Sequence, residues 1–348
     1  MNDLASFFRS RRDAGKPLVL ATVIDTHGST YSKSGSRLLV DGEGVYRGLL
    51  SGGCLEGDLA IRAAQVIETG ASQLAAYDFA DDDDELWGMG VGCDGSLKIL
   101  LQPITAGTHY EPYASIDSVL RSDASAVLVT AVESGGNGLQ PGTSILLDEA
   151  GLKNFGVPES LLPGFVRAAE SASAVRRSGL ARSGEEGTRF QLHCSFIEPP
   201  PRLLILGAGP DVEPLLRFAS ELGWRCTIVD HRPAYIESGA FEAAWETHCV
   251  EPSSLRSSLK LELYDRAVVM SHHLPSDREY LRQIADSDIN YVGLLGPPAR
   301  RDRLLNDLGS DAEKLAERLH GPAGLSIRAR GPAAIALSIV AQIQQLLH

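Results

Sequence analysis

Five cysteines are scattered along the 348-residue chain, and two of them, Cys54 and Cys93, stand in glycine turns. The first turn reads Ser51-Gly52-Gly53-Cys54-Leu55-Glu56, and apolar residues follow at Leu59, Ala63, Val66 and Ile67. That spacing predicts a helix with one buried face, which places the thiol at a helix N-terminus behind two glycines that leave the backbone open. A free thiol, with a pKa of about 8.5, is about 3% thiolate at pH 7. A helix N-terminus contributing about 0.7–2 kcal/mol raises that share to about 10–50%, and Glu56 and Asp58 pull it towards the lower end. Cys93 lies in a second turn, Gly92-Cys93-Asp94-Gly95. Two such turns meeting at one pocket could set sulfurs and glycine N–H groups around a phosphate or a soft metal centre. Free cysteines also serve as small buried hydrophobes, so both readings stay open. Arg37, just after the polar stretch 25–30, could offer its planar fork to the same phosphate or extend a solvated head from the surface.

A second constellation lies past residue 200. Leu203-Leu204-Ile205-Leu206 runs straight into Gly207-Ala208-Gly209, and a helix with apolar Val212, Leu215, Leu216, Ala219 and Leu222 follows. Asp230 ends the next apolar run, 23 positions after Gly207. In a dinucleotide-binding unit Gly207 would make the tight turn and Gly209 would admit a pyrophosphate to the helix N-terminus. Asp230 would then meet a ribose hydroxyl. Val212 stands where that fingerprint has its third glycine, and Asp211 brings a negative charge to the first helical turn. The segment therefore also fits a Rossmann fold kept for packing or assembly, with a weakened nucleotide site. His272 and His273 follow a later strand. Alternation lets one of them face the crevice at the strand's C-terminal edge, and His272 is assigned to it. Arg300, Arg301 and Arg303 open another helix and read as an exposed basic face or an anion site.

The elements that must position these residues fall into two groups. Before residue 198 the chain reads as a mixed α/β domain. It has a helix at Asp3–Arg12, strands at Leu18–Ile24 and Ser96–Leu101, a hairpin of Arg37–Val40 and Val45–Leu50, and the helix after Cys54. Residues 25–30 read as a polar turn. Strands are expected at Ala126–Val132, Ser144–Leu147 and Phe190–Phe196, the last half-buried, and Ala168–Gly187 reads as a surface connection with some helix. Pro199-Pro200-Pro201 is a stiff spacer and marks the boundary between domains 1–198 and 199–348. Beyond it strands at 202–206, 225–230, 245–250, 266–271 and 290–295 alternate with helices at 211–222, 276–287, 299–308 and 332–346. That rhythm predicts a Rossmann-like parallel sheet.

Composition excludes several classes. A formal net charge of −13 disfavours a nucleic-acid or anionic-membrane binder, both of which need a cationic surface. No apolar run approaches the roughly 20 residues of a membrane span, and Met1–Arg12 lacks the core of a signal peptide, so a cytoplasmic location is expected. The cysteines are odd in number and widely spaced, without a C-x-x-C pair, which argues against a disulfide framework or a structural zinc site. Cys194, Cys226 and Cys249 read as packing residues.

The motifs together resemble the xanthine dehydrogenase accessory factor family, the XdhC/CoxI type. The resemblance is carried by Gly28-Ser29, Gly35-Ser36-Arg37, Ser51-Gly52-Gly53-Cys54-Leu55-Glu56 and Gly90-Val91-Gly92-Cys93 at one end. At the other it is carried by Leu206-Gly207-Ala208-Gly209, Val229-Asp230-His231-Arg232-Pro233, Val269-Met270-Ser271-His272-His273 and Tyr291-Val292-Gly293-Leu294-Leu295-Gly296. Asp94 departs from the family pattern, which often continues past the cysteine with two glycines. The resemblance implies a maturation factor, not an established catalyst. Such a factor binds molybdenum cofactor (molybdopterin), protects it while its sulfido ligand is installed, and helps deliver it to a molybdenum hydroxylase apoenzyme. It implies a homodimer working with a cysteine desulfurase or another cofactor-maturation enzyme. The residues implicated in cofactor binding are Ser51, Gly52, Gly53, Cys54, Glu56, Cys93, Arg37, Gly207, Gly209, Asp230 and His272, with Cys54 and Cys93 the candidate neighbours of the metal. Two alternatives remain: an NAD(P)-dependent oxidoreductase using Asp230, and a nucleotide-sensing assembly factor.

Overall fold

Alternation in Leu18–Ile24 sets Val19, Ala21 and Val23 on one side of a strand and Leu18 and Leu20 on the other, and both sides are put to use. The computed structural model describes residues 2–53, 55–79, 95–133, 139–183, 190–237 and 241–346. The chain divides into two compact units, Met1–Pro199 and Pro200–His348.

In the first unit α1 (Asn2–Asp13) leads into β1 (Leu18–His27), β2 (Arg37–Asp41) and β3 (Tyr46–Arg47). Then come α2 (Glu56–Thr69), β4 (Gln73–Asp78), β5 (Ser96–Ile104) and α3 (Tyr113–Val119). The five strands form an antiparallel sheet ordered β3-β2-β1-β5-β4. Val19, Ala21 and Val23 pack with Leu59, Ala63 and Val66, the apolar stripe of α2. Gly70 ends that helix in the left-handed conformation, at φ 67°, and returns its N–H to the carbonyl of Val66. Leu18 and Leu20 join Phe8 of α1, Tyr113 of α3 and residues of a second sheet. That sheet contains β6 (Ala126–Ala131), β7 (Ser144–Asp148), β8 (Gly151–Phe155), β9 (Gly179–Ser183) and β10 (Phe190–Ile197), and α4 (Leu162–Val175) lies in sequence between β8 and β9. It is antiparallel, ordered β8-β7-β6-β10-β9, and its far face receives Phe165, Ala169 and Ala172 of α4.

The second unit runs through β11 (Arg202–Leu206), α5 (Val212–Glu221), β12 (Arg225–Asp230), α6 (Pro233–Ile236), β13 (Glu246–Cys249) and α7 (Leu255–Ser258). It continues with β14 (Arg266–Val269), α8 (Leu274–Ala285), β15 (Tyr291–Leu294), α9 (Pro298–Leu308), α10 (Asp311–Leu315), β16 (Leu319–His320) and α11 (Pro332–Gln345). All neighbours in the sheet β13-β12-β11-β14-β15-β16 are parallel. Counted within the unit this is the order 3-2-1-4-5-6 of a doubly wound dinucleotide fold, with its switch point between β11 and β14. Leu203 and Ile205 face a core shared with α5 and α11, whereas Leu204 and Leu206 face one shared with α8 and α9.

Several expectations need correction. The stretch 25–30 does not turn at once: β1 continues to His27 past an irregularity between Val23 and Asp25, because β5 supplies partners along its whole length. β10 is buried on both faces, since His193 and Ser195, on the side away from α4, are 1% exposed. Of the segment 168–187, expected as a surface connection with some helix, the described part holds the end of α4 and then β9 as far as Ser183, and β4, β8 and α3 are elements that the sequence pattern does not predict. Cys194 and Cys226 are buried, but Cys249 is exposed on β13, an edge strand with a neighbour on one side only.

Candidate functional site

In the first unit Glu56 is the residue on which the glycine turn is built. Its carboxylate is 0% exposed and accepts the N–H groups of Leu50 (2.7 Å), Ser51 (2.9 Å) and Gly53 (3.0 Å) and the hydroxyl of Ser51 (2.6 Å). The same hydroxyl receives the N–H of Leu55 at 2.8 Å. Burial pushes the Glu56 carboxyl up, but the Ser51 hydroxyl and the N–H groups of Ser51 and Leu50 outweigh it and hold it below its ordinary value. Glu56 was expected to contact a cofactor. Enclosed and fully engaged, it instead folds the loop that would do so. Gly52 and Gly53 take positive φ, 78° and 112°, and a Cβ on Gly53 would meet nothing within 4 Å. The turn therefore presents open backbone, with the Gly52 N–H lacking an acceptor among the described residues.

Loop 27–32 lies against this turn. Ser32 donates its hydroxyl to the carbonyl of Leu50 at 2.6 Å, and the ring of Tyr31, 63% exposed, sits 3.8 Å from where a Gly52 Cβ would be. Gly95 lies against the same loop. A Cβ there would fall 2.5 Å from the Ser29 carbonyl and 2.7 Å from that of His27, so no larger residue fits. Cys54 and Cys93 themselves lie outside the described residues. Their described flanks, Gly53 and Gly95, belong to segments that share loop 27–32 as a neighbour.

Arg37 is not part of this cluster, nor does it extend into solvent. Its guanidinium donates to the Ser195 hydroxyl at 2.5 Å, its Nε is buried without a partner, and burial lowers its pKa from the ordinary value. No carboxylate pairs with it among the described residues. Beside it His193 shares a 3.0 Å hydrogen bond with Ser34, and burial together with Arg37 pushes its pKa down to about 3. The result is a polar seam joining the two sheets of this unit. The alternation of β10 could have revealed it, had both faces been taken as buried.

In the second unit Gly207, at φ 126°, allows β11 and β14 to meet: a Cβ would lie 2.6 Å from the Met270 carbonyl. Asp230 is 0% exposed and engaged on both oxygens. It accepts the Ala208 N–H at 2.8 Å, and from Arg232 the backbone N–H (2.9 Å), Nε (2.9 Å) and Nη2 (2.7 Å). Arg232 in turn stacks over Tyr235, 3.8 Å from the ring centre. Expected to receive a ribose, Asp230 instead ties the glycine turn to the segment after β12, and its partner two positions on was visible in the sequence. Over Gly209, where a pyrophosphate would approach, lies the carboxylate of Asp211, with Oδ1 2.6 Å from the position of a Cβ and Oδ2 2.8 Å from Nε2 of His272. His272 does reach the crevice, but by a different route. The strand ends at Val269 and His272 adopts φ 60°, so strand alternation does not govern it. His273 turns to Ser276 at 2.9 Å, and Arg300 pairs with the buried Asp277 at 2.6 Å. Among the described residues no group of His, Cys, Asp or Glu could hold a metal ion.

Comparison with known proteins agrees with the fold. The model of the XdhC Rossmann domain matches residues 203–343, and that of the XdhC and CoxI family matches residues 11–78. The chain is 33% identical over 330 residues to a probable xanthine dehydrogenase subunit of Bacillus subtilis (strain 168), covering 94% of this chain and 92% of the relative. It is 20% identical over 339 residues to the molybdenum cofactor insertion chaperone PaoD of Escherichia coli (strain K12), covering 96% and 85%. A crystal structure described as a xanthine dehydrogenase from Bacillus halodurans superposes with a TM-score of 0.80 at 32% identity, covering 99% of this chain and 95% of that one. A glycine turn organised by a buried glutamate, a Rossmann unit following it in sequence, and relatives alike along nearly the whole length make this chain a member of the XdhC and CoxI family.

Proposed function

We propose that the protein is an accessory factor for a xanthine dehydrogenase-type molybdenum hydroxylase, holding molybdenum cofactor while it is sulfurated and delivering it to the apoenzyme. The observation that carries this reading is the open backbone of Gly52 and Gly53, kept in place by Glu56 and flanked by loop 27–32. A phosphorylated metal–dithiolene pterin needs donors for its phosphate, a flat apolar surface and a soft neighbour for its metal. The Gly52 N–H could supply the first, the exposed ring of Tyr31 the second and, by its place in the sequence, Cys54 the third. When bound, the cofactor would bring the metal that the hydroxylase uses; the protein's part is to bind, orient and shield it. The names of the insertion chaperone and of the Bacillus subtilis relative support the same role. Homodimerisation, a cysteine desulfurase partner and a cytoplasmic location belong to the proposal. Against a dehydrogenase stand the engaged carboxylate of Asp230 and the position of Asp211 over Gly209.

The test is retention. The purified protein is mixed with molybdenum cofactor released from a molybdoenzyme and desalted, and bound molybdenum and pterin fluorescence are measured. Wild type should retain both, while Cys54→Ser and Glu56→Gln should bind about tenfold more weakly or worse. Equal retention by Cys54→Ser, or none by wild type, overturns the reading.

A further inference from the structure

Between the two sheets of the first unit a guanidinium and two hydroxyls meet with more protons than acceptors. Arg37, at the start of β2, gives one N–H to the Ser195 hydroxyl of β10, and its Nε–H is buried without a partner. Ser195 is 1% exposed and accepts that bond, so its own proton needs an acceptor and has none among the described residues. Ser178 accepts the N–H of Phe196 at 3.0 Å, and its proton is left in the same condition. Gly35 brings the two hydroxyls to one point. It sits at φ 92°, and a Cβ there would lie 2.9 Å from the Ser178 Oγ and 3.5 Å from the Ser195 Oγ.

The charge is as unmatched as the protons. Asp117, a buried carboxylate of the same unit, is already held by Arg9 and Arg121. The phenol of Tyr113, which interacts with Arg37, stays neutral because burial pushes its pKa up. The walls are apolar. Leu39, two positions on and on the same side of β2, joins one core cluster, and Leu180, opposite His193 on β9, packs with Ile24, Leu100 and Val132. A cation enclosed in this way without a counter-charge is costly. A water molecule would accept from these donors but find no acceptor for its own protons, and it brings no charge. An anion that carries no proton answers both needs, and Arg37 is only half-buried, which leaves a way in. We infer that the seam binds a small monovalent anion of the halide kind, chloride in the first place, through Arg37, Ser195 and Ser178, and that this ion ties the two sheets together. The site involves neither the glycine turn nor the second unit, and it does not depend on the function proposed for them.

Melting the full-length protein in sodium chloride and in sodium gluconate of equal ionic strength tests the site, since gluconate is too bulky for the seam. Chloride should raise the wild-type thermal midpoint by about 2–4 °C over gluconate. Arg37→Met removes the charge but keeps an extended side chain, and it should melt alike in the two salts. Ser195→Ala should lose most of the difference, and it carries the test if Arg37→Met does not fold. Crystals of the wild type soaked in bromide should show an anomalous peak against the Arg37 Nε and the Ser195 hydroxyl. Wild type melting alike in both salts, a chloride response in Ser195→Ala equal to that of wild type, or bromide found only elsewhere on the molecule overturns the assignment.

Discussion

Two buried ionisable groups in the first unit respond to acid in different pH windows. His193 is kept neutral by burial and by Arg37, which push its pKa down to about 3. In the unfolded chain a histidine titrates near about 6.5. Between those values the unfolded state binds the extra proton, so stability falls as pH falls, by up to roughly 1.4 kcal/mol per pH unit. His193→Gln, which keeps a partner for Ser34, should flatten this slope in urea midpoints measured from pH 7 to pH 5; an unchanged slope would contradict the neutral, buried state. Glu56 has a lowered pKa in the folded state, so its contribution is complete above the unfolded value of about 4.3 and is lost as pH falls through the folded one. Glu56→Ala leaves the N–H groups of Leu50, Ser51 and Gly53 without their acceptor and should cost about 2–4 kcal/mol at neutral pH by chemical denaturation. The sequence marked Glu56 as a cofactor contact, and the structure shows its carboxylate engaged by Leu50, Ser51 and Gly53. An acid two positions after Cys54 looks like a ligand until its neighbours are seen to fold back on it.

At the scale of elements, periodicity revealed those whose burial is one-sided and strong. The stripe of α2 and the alternating run of β11 are legible because each side chain set faces one layer. β8 was missed because its residues are largely exposed and it owes its place to pairing with β7. α3 was missed because its seven residues carry too short an apolar pattern to stand out. Tertiary partners also decide how helices end. Arg318, far from α8 in sequence, donates to the carbonyls of Ile284 (3.3 Å) and Ala285 (2.5 Å) at its C-terminus and to those of Ser287 (2.7 Å) and Ile289 (2.6 Å) beyond it. Replacing it with alanine should lower stability by about 2–3 kcal/mol, read as a shift of the thermal midpoint, because the carbonyls lose charge-assisted donors. A shift equal to that of a surface control such as Arg217→Ala would show that these bonds contribute nothing.

On the scale of the whole molecule, each unit encloses its own cores. The second unit has two, one on each face of the parallel sheet, made of residues 203–343. A fragment spanning Pro200–His348 is therefore expected to fold by itself, giving a cooperative melt by circular dichroism and dispersed amide signals by NMR. A broad, non-cooperative transition would show that it depends on the rest of the chain. No helix among the described residues is long and apolar enough to cross a membrane.

What the sequence determined by itself is what local pattern can encode: the strand–helix rhythm after Pro199-Pro200-Pro201, the tight turn at Gly207 and the helix after Gly53. Each follows from side-chain period or from the backbone freedom of glycine, and none requires a distant partner. Tertiary structure decided which polar groups remain available. Asp230 closed on Arg232 and Ala208, Arg37 entered a seam with Ser195, and Asp211 came to rest with His272 above Gly209. A buried charge or hydrogen-bonding group must find a partner wherever the fold brings one, so its role is set by contacts that spacing along the chain does not contain.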